Sequence, residues 1–375
     1  MSTTLLDEEW CVLADLLPEG WQEMARKTGA MRRARGGVTS PEALLRLLLL
    51  HVATGLSLRQ TVARAHVTGL ASVTDVALLK RLRSSEGWLR EMARCTFEAS
   101  RFARTPAVSS TLLEGRRLRA VDATTVEEPG ATGTDWRVHY CISLPDLRCD
   151  FYELTDVQGA ETYKRVPVAA GDIILGDRGY SHREGVAHVL RNRGDVILRL
   201  NSTSFPLRRT DRDERFALLP HLRRLDACQP GEWPVRFKTG DRWWDARLCA
   251  VRKTEVAAER AKKRIRRLAS KKGHQPETDT LEFAEYVFVL TTLDPQDVSA
   301  IEVLELYRAR WQIELCFKRL KSLLRLGHLP KRSDESARAW IQGKLLTVLL
   351  IERLIDKARF FSPWGFNLAA PQPMA

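Results

Sequence analysis

A chain of 375 residues is long enough to bury a substantial core and to form two or three domains. With 44% hydrophobic and 29% charged residues, the composition is that of a globular protein in water. The most apolar stretch, residues 44–52, is too short to span a bilayer. The net charge of +13 indicates a polyanionic partner, with nucleic acid as the first candidate and a merely basic surface as the alternative.

The seven cysteines are scattered and contain no CxxC pair, so they form neither a zinc signature nor a recognisable disulfide framework. The first ten residues are polar to acidic and do not resemble a signal peptide. We therefore expect a protein of the reducing cytoplasm that has no membrane partner.

The first part of the chain, residues 1–110, shows helical patterns. Ser40 followed by Pro41 is a typical helix start, and further helices are predicted from Ser57 and from Thr74. The last two are short and lie on either side of a turn at Gly69, which suggests a small helical DNA-binding unit. A generic helical bundle fits this pattern about as well.

Strand patterns begin after Arg116. Apolar and β-branched runs at 118–126, 136–144, 149–157 and 171–180 precede a helix at 181–194 and a strand at 195–201. This order predicts an α/β fold with a mixed sheet flanked by helices.

Residues 202–284 are predicted to be a β-rich insertion, containing two paired strands and a basic helix, before a strong strand at 285–293. Trp243 and Trp244 in the paired strands could stack on an unpaired base, although hydrophobic cover of a hairpin is slightly favoured. The basic residues 259–272 could follow a DNA backbone or could form a solvated face. Residues 358–375 are expected to be a loosely ordered tail.

The stretch 306–326 is predicted to be one amphipathic helix. Its polar residues Tyr307, Arg310, Glu314 and Lys321 fall within an arc of roughly 60° at ~100° per residue. An ordinary helix with a solvated charged face would have a similar pattern.

Two aspartates, Asp122 and Asp177, stand at or just past the ends of predicted buried strands, where an ionised carboxylate is costly unless it is paired or binds a metal. Each alone could be an ordinary capping residue. Together with Glu314 they could hold two divalent ions about 4 Å apart for phosphodiester chemistry. Oxygen ligands favour Mg²⁺, with Mn²⁺ as a substitute.

Three sequence blocks resemble the bacterial insertion-sequence transposases of the IS4 type, which have an RNase H-like DDE core. They are VDATTVEEPG with the following GTDWRVHY, IILGDRGYSHREG, and the Y-x2-R-x3-E-x6-K signature, which begins here at Tyr307. The likeness runs from about residue 40 to about residue 350. In such transposases a β-rich insertion separates the second aspartate from the glutamate, which accounts for the long interval between Asp177 and Glu314.

The resemblance implies roles for these residues. Asp122, Asp177 and Glu314 would be catalytic and would bind two Mg²⁺ ions. Tyr307, Arg310 and Lys321 would hold the DNA end, and Arg178 and Tyr180 are weaker candidates for DNA contact. It also implies cut-and-paste transposition through a hairpin intermediate, with terminal inverted repeats and target DNA as double-stranded partners and a homodimer in the synaptic complex on the bacterial nucleoid.

Two other functions remain open from the residues alone. A metal-dependent structure-selective nuclease would cut DNA without joining it, and a non-catalytic DNA-binding inhibitor of transposition would bind DNA without cutting it. The predicted domains are a helical DNA-binding region (1–110), a catalytic domain (111–201 and 285–357), the insertion (202–284) and the tail (358–375).

Overall fold

A computed structural model describes most of the chain, including the region that holds the predicted acids. The described residues are 5–32, 37–102, 115–131, 133, 135–144, 146–201, 204–226, 229–327, 329–330 and 333–359. Residues 360–375, most of the expected tail, lie outside them.

The N-terminal part is helical, as predicted. Three helix starts have the expected side-chain caps: the hydroxyl oxygens of Ser40, Ser57 and Thr74 accept the backbone N–H three residues later, at 3.1–3.2 Å. Gly69 follows the fourth helix with a φ of +69°, a conformation that glycine adopts without steric cost. The helices are α1 (Leu5–Ala14), α2 (Trp21–Lys27), α3 (Pro41–Thr54), α4 (Leu58–Val67), α5 (Asp75–Ser84) and α6 (Glu86–Phe102).

The strands after Arg116 lie within a few residues of their predicted positions. All five residues of the fourth strand are buried, as its continuous apolar run predicts for a strand in the middle of a sheet. The elements are β1 (Arg117–Val126), β2 (Trp136–Leu144), β3 (Arg148–Asp156), β4 (Asp172–Gly176), α7 (Arg183–Arg191) and β5 (Asp195–Arg199).

The predicted insertion is β-rich and contains the expected basic helix. Its long strands pair antiparallel from Pro230 opposite Val251 to Thr239 opposite Arg242, with a tight turn between them. The elements are β6 (Arg208–Arg209), α8 (Leu218–Leu222), β7 (Pro230–Thr239), β8 (Arg242–Arg252), α9 (Glu255–Lys271), α10 (Thr278–Phe283) and the returning strand β9 (Tyr286–Thr291).

The described strands form one nine-stranded sheet in the order β3-β2-β1-β4-β5-β9-β8-β7-β6. β1, β4 and β5 are parallel neighbours, whereas β9 runs antiparallel to both β5 and β8. The inserted hairpin therefore extends the central sheet through β9. This mixed sheet with helices against it confirms the predicted RNase H-like fold class.

The apolar core of this sheet joins the catalytic and inserted segments. Val121, Ile174 and Leu198 from the parallel strands belong to the same buried cluster as Phe237 and Leu248 from the inserted hairpin. Burial of shared apolar surface makes the hairpin part of the same folding unit as the parallel strands.

The predicted single helix at 306–326 is wrong. The chain forms α11 (Ala300–Arg308) and α12 (Trp311–Leu323), followed by α13 (Asp334–Arg359). Between α11 and α12 the backbone tightens: Arg310 N donates to Tyr307 O, and Ile313 N donates to Arg310 O, both at 3.1 Å. Hydrogen bonds between residues three apart turn the chain by about 120° per residue instead of ~100°. The four polar residues of the signature therefore do not share the single arc predicted for one continuous helix.

The chain divides into two compact units. The sheet unit comprises residues 107–124 and 138–315, and the helical unit comprises residues 1–106, 125–137 and 316–375. In the helical unit, α13 packs against α3, α5 and α6. The four-part division given above stays a prediction.

Among the helices of the described residues, none has both the length and the hydrophobicity needed to span a bilayer.

Candidate active site

Two neighbouring parallel strands bring the aspartates together. β1 pairs with β4 from Arg117 opposite Asp172 to Ala120 opposite Leu175, and Asp122 and Asp177 each follow the last of these pairs by two residues. Because both strands run the same way, the two side chains meet at one edge of the sheet. Each carboxylate is fixed locally: Asp122 Oδ1 accepts from Ala123 N and Asp177 Oδ1 accepts from Gly179 N, both at 2.8 Å.

The electrostatics of this edge favour a bound cation. The pKa of Asp122 is raised to about 7, mainly by burial and then by the negative charge of Asp177, with a smaller contribution from Glu161. The Ala123 N–H and Arg310 act in the opposite direction. A carboxylate whose neighbours repel its charge is stabilised by a divalent cation, and its oxygens suit a hard ion. Asp122 and Asp177 at this edge could each contribute oxygen ligands to a divalent ion.

Arg310 connects the first and third predicted acids. Its Nη1 lies 3.8 Å from Asp122 Oδ2, and its Nη2 bonds directly to Glu314 Oε1. The side chain of Arg310 is 13% exposed and that of Asp122 is 17% exposed, so the pair is partly shielded from water. Glu314 is more exposed, and within the described residues no three His, Cys, Asp or Glu side chains are placed closely enough to hold a metal together. The three-acid metal set stays a prediction.

The tyrosines near the acids are buried. Tyr307 and Tyr180 are 8% and 1% exposed, and the Tyr180 hydroxyl has no hydrogen-bond partner among the described residues. Burial is the main cause that raises the pKa of both phenols. Both buried tyrosines are suited to packing under the acids. Arg178, between Asp177 and Tyr180 in sequence, is exposed and accessible to a DNA backbone.

The remaining predicted DNA contacts are spread over other elements. Lys321 is exposed near the end of α12 and belongs to the helical unit. Trp244 is buried: its indole N–H donates to Thr239 Oγ1 at 2.8 Å, and the guanidinium of Arg242 lies 3.8 Å from its ring centroid. That position agrees with hydrophobic cover of the hairpin. Trp243 is partly exposed, with the Arg236 guanidinium 4.4 Å from its ring centroid.

One candidate residue was missed by the sequence analysis. Trp311 begins α12 between Arg310 and Glu314, and it is 52% exposed. A large exposed ring next to a cation and an acid is suited to stacking on a nucleic-acid base. Its place inside the Y-x2-R-x3-E-x6-K signature was the available signal.

The sequence of the chain is similar to those of known proteins. Residues 155–350 match the family model described as the transposase DDE domain. The transposase for insertion sequence element IS421 of Escherichia coli is 37% identical over 355 residues, covering 92% of this chain and 93% of the relative. The chain belongs to the IS4-type family of DDE transposases.

Two more distant matches share less sequence with this transposase. The transposase for insertion sequence element IS231B of Bacillus thuringiensis subsp. berliner is 23% identical over 393 residues, covering 95% of this chain and 80% of the relative. A cryo-EM structure of the piggyBac transposase synaptic complex with hairpin DNA aligns with a TM-score of 0.48 at 8% identity, covering 91% of this chain and 71% of that one.

Membership in this family establishes the class of reaction. The chain is a transposase for an insertion sequence, and DDE transposases are polynucleotidyl transferases that depend on divalent cations. This family membership favours catalysis over the non-catalytic inhibitor considered from the sequence.

Proposed function

We propose that this transposase binds the terminal inverted repeats of its own insertion sequence and moves the element by cut and paste. It would act as a homodimer on the nucleoid in the bacterial cytoplasm, with Asp122, Asp177 and Glu314 holding two Mg²⁺ ions for which Mn²⁺ can substitute. The observation that carries the proposal is the meeting of Asp122 and Asp177 at the end of two parallel strands, with Arg310 linking Asp122 to Glu314.

The bound ions would lower the pKa of an attacking water or hydroxyl and stabilise the leaving oxygen. Water first attacks a phosphodiester at each end of the element, and the departing 3′-oxygen takes up a proton. The freed 3′-hydroxyl then attacks the phosphodiester of the opposite strand, which closes a hairpin and releases the flanking DNA with a 3′-hydroxyl. A second hydrolysis opens the hairpin. The same 3′-hydroxyl finally attacks a target phosphodiester, forms the new bond and displaces the 3′-oxygen of the target strand, which takes up a proton.

The residues of the chain hold and orient these reactants. Arg310 bonds to Glu314 with one nitrogen and faces Asp122 with another, so it limits the repulsion between the acids before DNA arrives. When a phosphate enters, the planar guanidinium is suited to bond to it in a bidentate manner. Exposed Arg178, Lys321 and Trp311 would add contacts to backbone and bases.

Incubation of the purified transposase with Mg²⁺ and labelled terminal-repeat DNA tests this proposal. Nicked ends, hairpins and joined products are expected together. Nicks without joined products would indicate a structure-selective nuclease, and shifted but uncut DNA would indicate a binding protein. The Asp177→Asn variant should bind the same DNA without cutting it, which separates loss of chemistry from loss of binding.

A further inference from the structure

The basic helix of the insertion, α9, has two sides of different character. Ala258 and Ala269 on one side are 7% and 5% exposed, so this side packs against the protein. The opposite side carries five exposed cations, which fall within an arc of about 100° at ~100° per residue of a continuous helix. We call these residues the basic stripe: Arg260, Lys263, Arg264, Arg267 and Lys271. The outer side of α9 therefore presents charge of one sign to the solvent.

The basic stripe contains no acid, and its cations make no ion pair within the described part of the chain. Glu259 pairs with Lys262 at 3.2 Å, and Lys262 also pairs with Glu285 at 2.8 Å, so the ion pairs of α9 lie beside the stripe. A solvated helix face usually mixes acids and bases three or four residues apart, because such pairs stabilise the helix. Each cation of the stripe is instead three or four residues from another cation, which destabilises an isolated helix. This charge pattern is suited to a polyanionic partner.

The position of α9 in the sheet unit relates the stripe to the candidate active site. β8 runs antiparallel to β9, which runs antiparallel to β5, so β8 has the same direction as the parallel strands that carry the aspartates. Leu248 of β8 stands level with Gly176 of β4, the residue before Asp177. β8 ends at Arg252, and α9 begins three residues later. The helix therefore begins at the edge of the sheet where the two aspartates meet.

We propose that the basic stripe binds the phosphate backbone of a DNA duplex held at this edge of the sheet. The inference rests on the proposed function and adds a DNA-binding surface outside the Y-x2-R-x3-E-x6-K signature. Arg260 and Lys271 are about 16 Å apart along the helix axis, at ~1.5 Å per residue, and a duplex presents roughly nine phosphates over that length. Cations that neutralise these phosphates release condensed counterions, which favours binding without regard to base sequence.

Binding titrations of the full chain with a random-sequence DNA duplex, at several salt concentrations, test this assignment. The stripe variant, Lys263→Gln/Arg264→Gln/Arg267→Gln, removes three phosphate contacts. It should weaken binding by roughly tenfold or more and reduce the slope of log affinity against log salt by roughly two or more. Its melting temperature should not fall, because glutamine is a good helix former and the three cations have no ion pairs to lose.

A matched control removes the same number of positive charges from another part of the sheet unit. Arg208, Arg209 and Arg212 each pair with Asp211 or Asp213, at 2.8–3.6 Å. The control variant, Arg208→Gln/Arg209→Gln/Arg212→Gln, should keep the wild-type slope. Because the stripe and control variants have equal net charge, a difference between their slopes reports the position of the charges and not a less basic protein.

A third variant separates charge from the shape of the helix surface. Lys263→Arg/Arg264→Lys/Arg267→Lys retains every charge of the stripe and should keep the wild-type slope. Equal slopes in the stripe and control variants would overturn the inference. The proposed function would then still stand if the wild type cuts and joins terminal-repeat DNA.

Two other outcomes have different meanings. If the stripe variant loses binding to anionic phospholipid vesicles but keeps the wild-type DNA slope, the stripe is a membrane-binding surface and the inference is wrong. If the wild type binds terminal-repeat DNA without cutting it, while the stripe variant has the reduced slope, the proposed function fails and the DNA-binding stripe is retained.

Discussion

The two regions that supply the candidate active site are built in different ways. At the sheet edge, Asp122 and Asp177 are set by the register of two parallel strands whose buried residues fix the direction of every side chain. At the junction of α11 and α12, Tyr307 and Glu314 are set by a tight turn around Arg310. A buried strand therefore keeps the geometry predicted from its sequence. The spacing of residues in a helical signature does not reveal where the backbone changes direction.

The largest expected effect is on cleavage, at the junction. Glu314→Gln should lower the rate of strand cleavage by roughly 10³-fold or more, because removal of a residue that acts as part of a catalytic set costs effects of this size. Single-turnover cleavage of labelled end DNA measures it. Glu305→Gln, on the exposed side of α11, is the control and should cut normally. Loss of DNA binding in Glu314→Gln would instead assign Glu314 a structural role.

A change at Arg310 tests whether the junction stabilises the sheet edge. Arg310→Met should lower the free energy of unfolding by about 2 kcal/mol at pH 8, since it removes the hydrogen bond to Glu314 and the positive charge that faces the partly shielded Asp122. Denaturant unfolding without divalent cations measures the change. Arg308→Met, exposed two residues earlier, should be nearly neutral. Equal stability of both variants would mean that the two regions are energetically independent.

The sheet edge should also give the metal-free protein a pH-dependent stability. The folded-state pKa of Asp122 is raised from 3.8 to about 7, chiefly by burial and Asp177, so the folded state holds a proton that the unfolded state releases. Stability from this group is present below pH 4 and is lost as the pH rises to about 7. Asp122→Asn should therefore raise the melting temperature at pH 8 and leave it little changed at pH 4.

The control for this pH effect is Asp241→Asn, at a fully exposed carboxylate in the turn between β7 and β8. Its melting temperature should follow that of the wild type across the whole range. If Asp122→Asn did the same, the repulsion inferred at the sheet edge would be absent.

The smallest expected effect concerns Lys321, at the far end of α12. Lys321→Ala should weaken binding to end DNA and reduce the slope of log affinity against log salt by about one, because one phosphate contact releases about one counterion. Binding titrations at several salt concentrations measure the slope. Lys357→Ala, at an exposed lysine near the end of α13, should leave it unchanged. An unchanged slope in Lys321→Ala would remove this residue from the DNA contacts.

Local sequence determined much of this transposase. Caps at Ser40, Ser57 and Thr74, the buried run of β4 and the β7–β8 hairpin all follow from interactions between residues close in the chain. The acids Asp122, Asp177 and Glu314 were identified from strand ends and the helical signature, although their joint metal binding stays a prediction.

Only the tertiary structure decided the arrangement around those acids. The partnership of Arg310 with Asp122 and the burial of Tyr180 depend on contacts between segments far apart in sequence. The tight turn at Arg310 depends on packing as well. The periodicity of side chains does not show where the backbone changes from hydrogen bonds between residues four apart to bonds between residues three apart. Sequence patterns report local geometry and burial, whereas the distance between two charges is set by the whole fold.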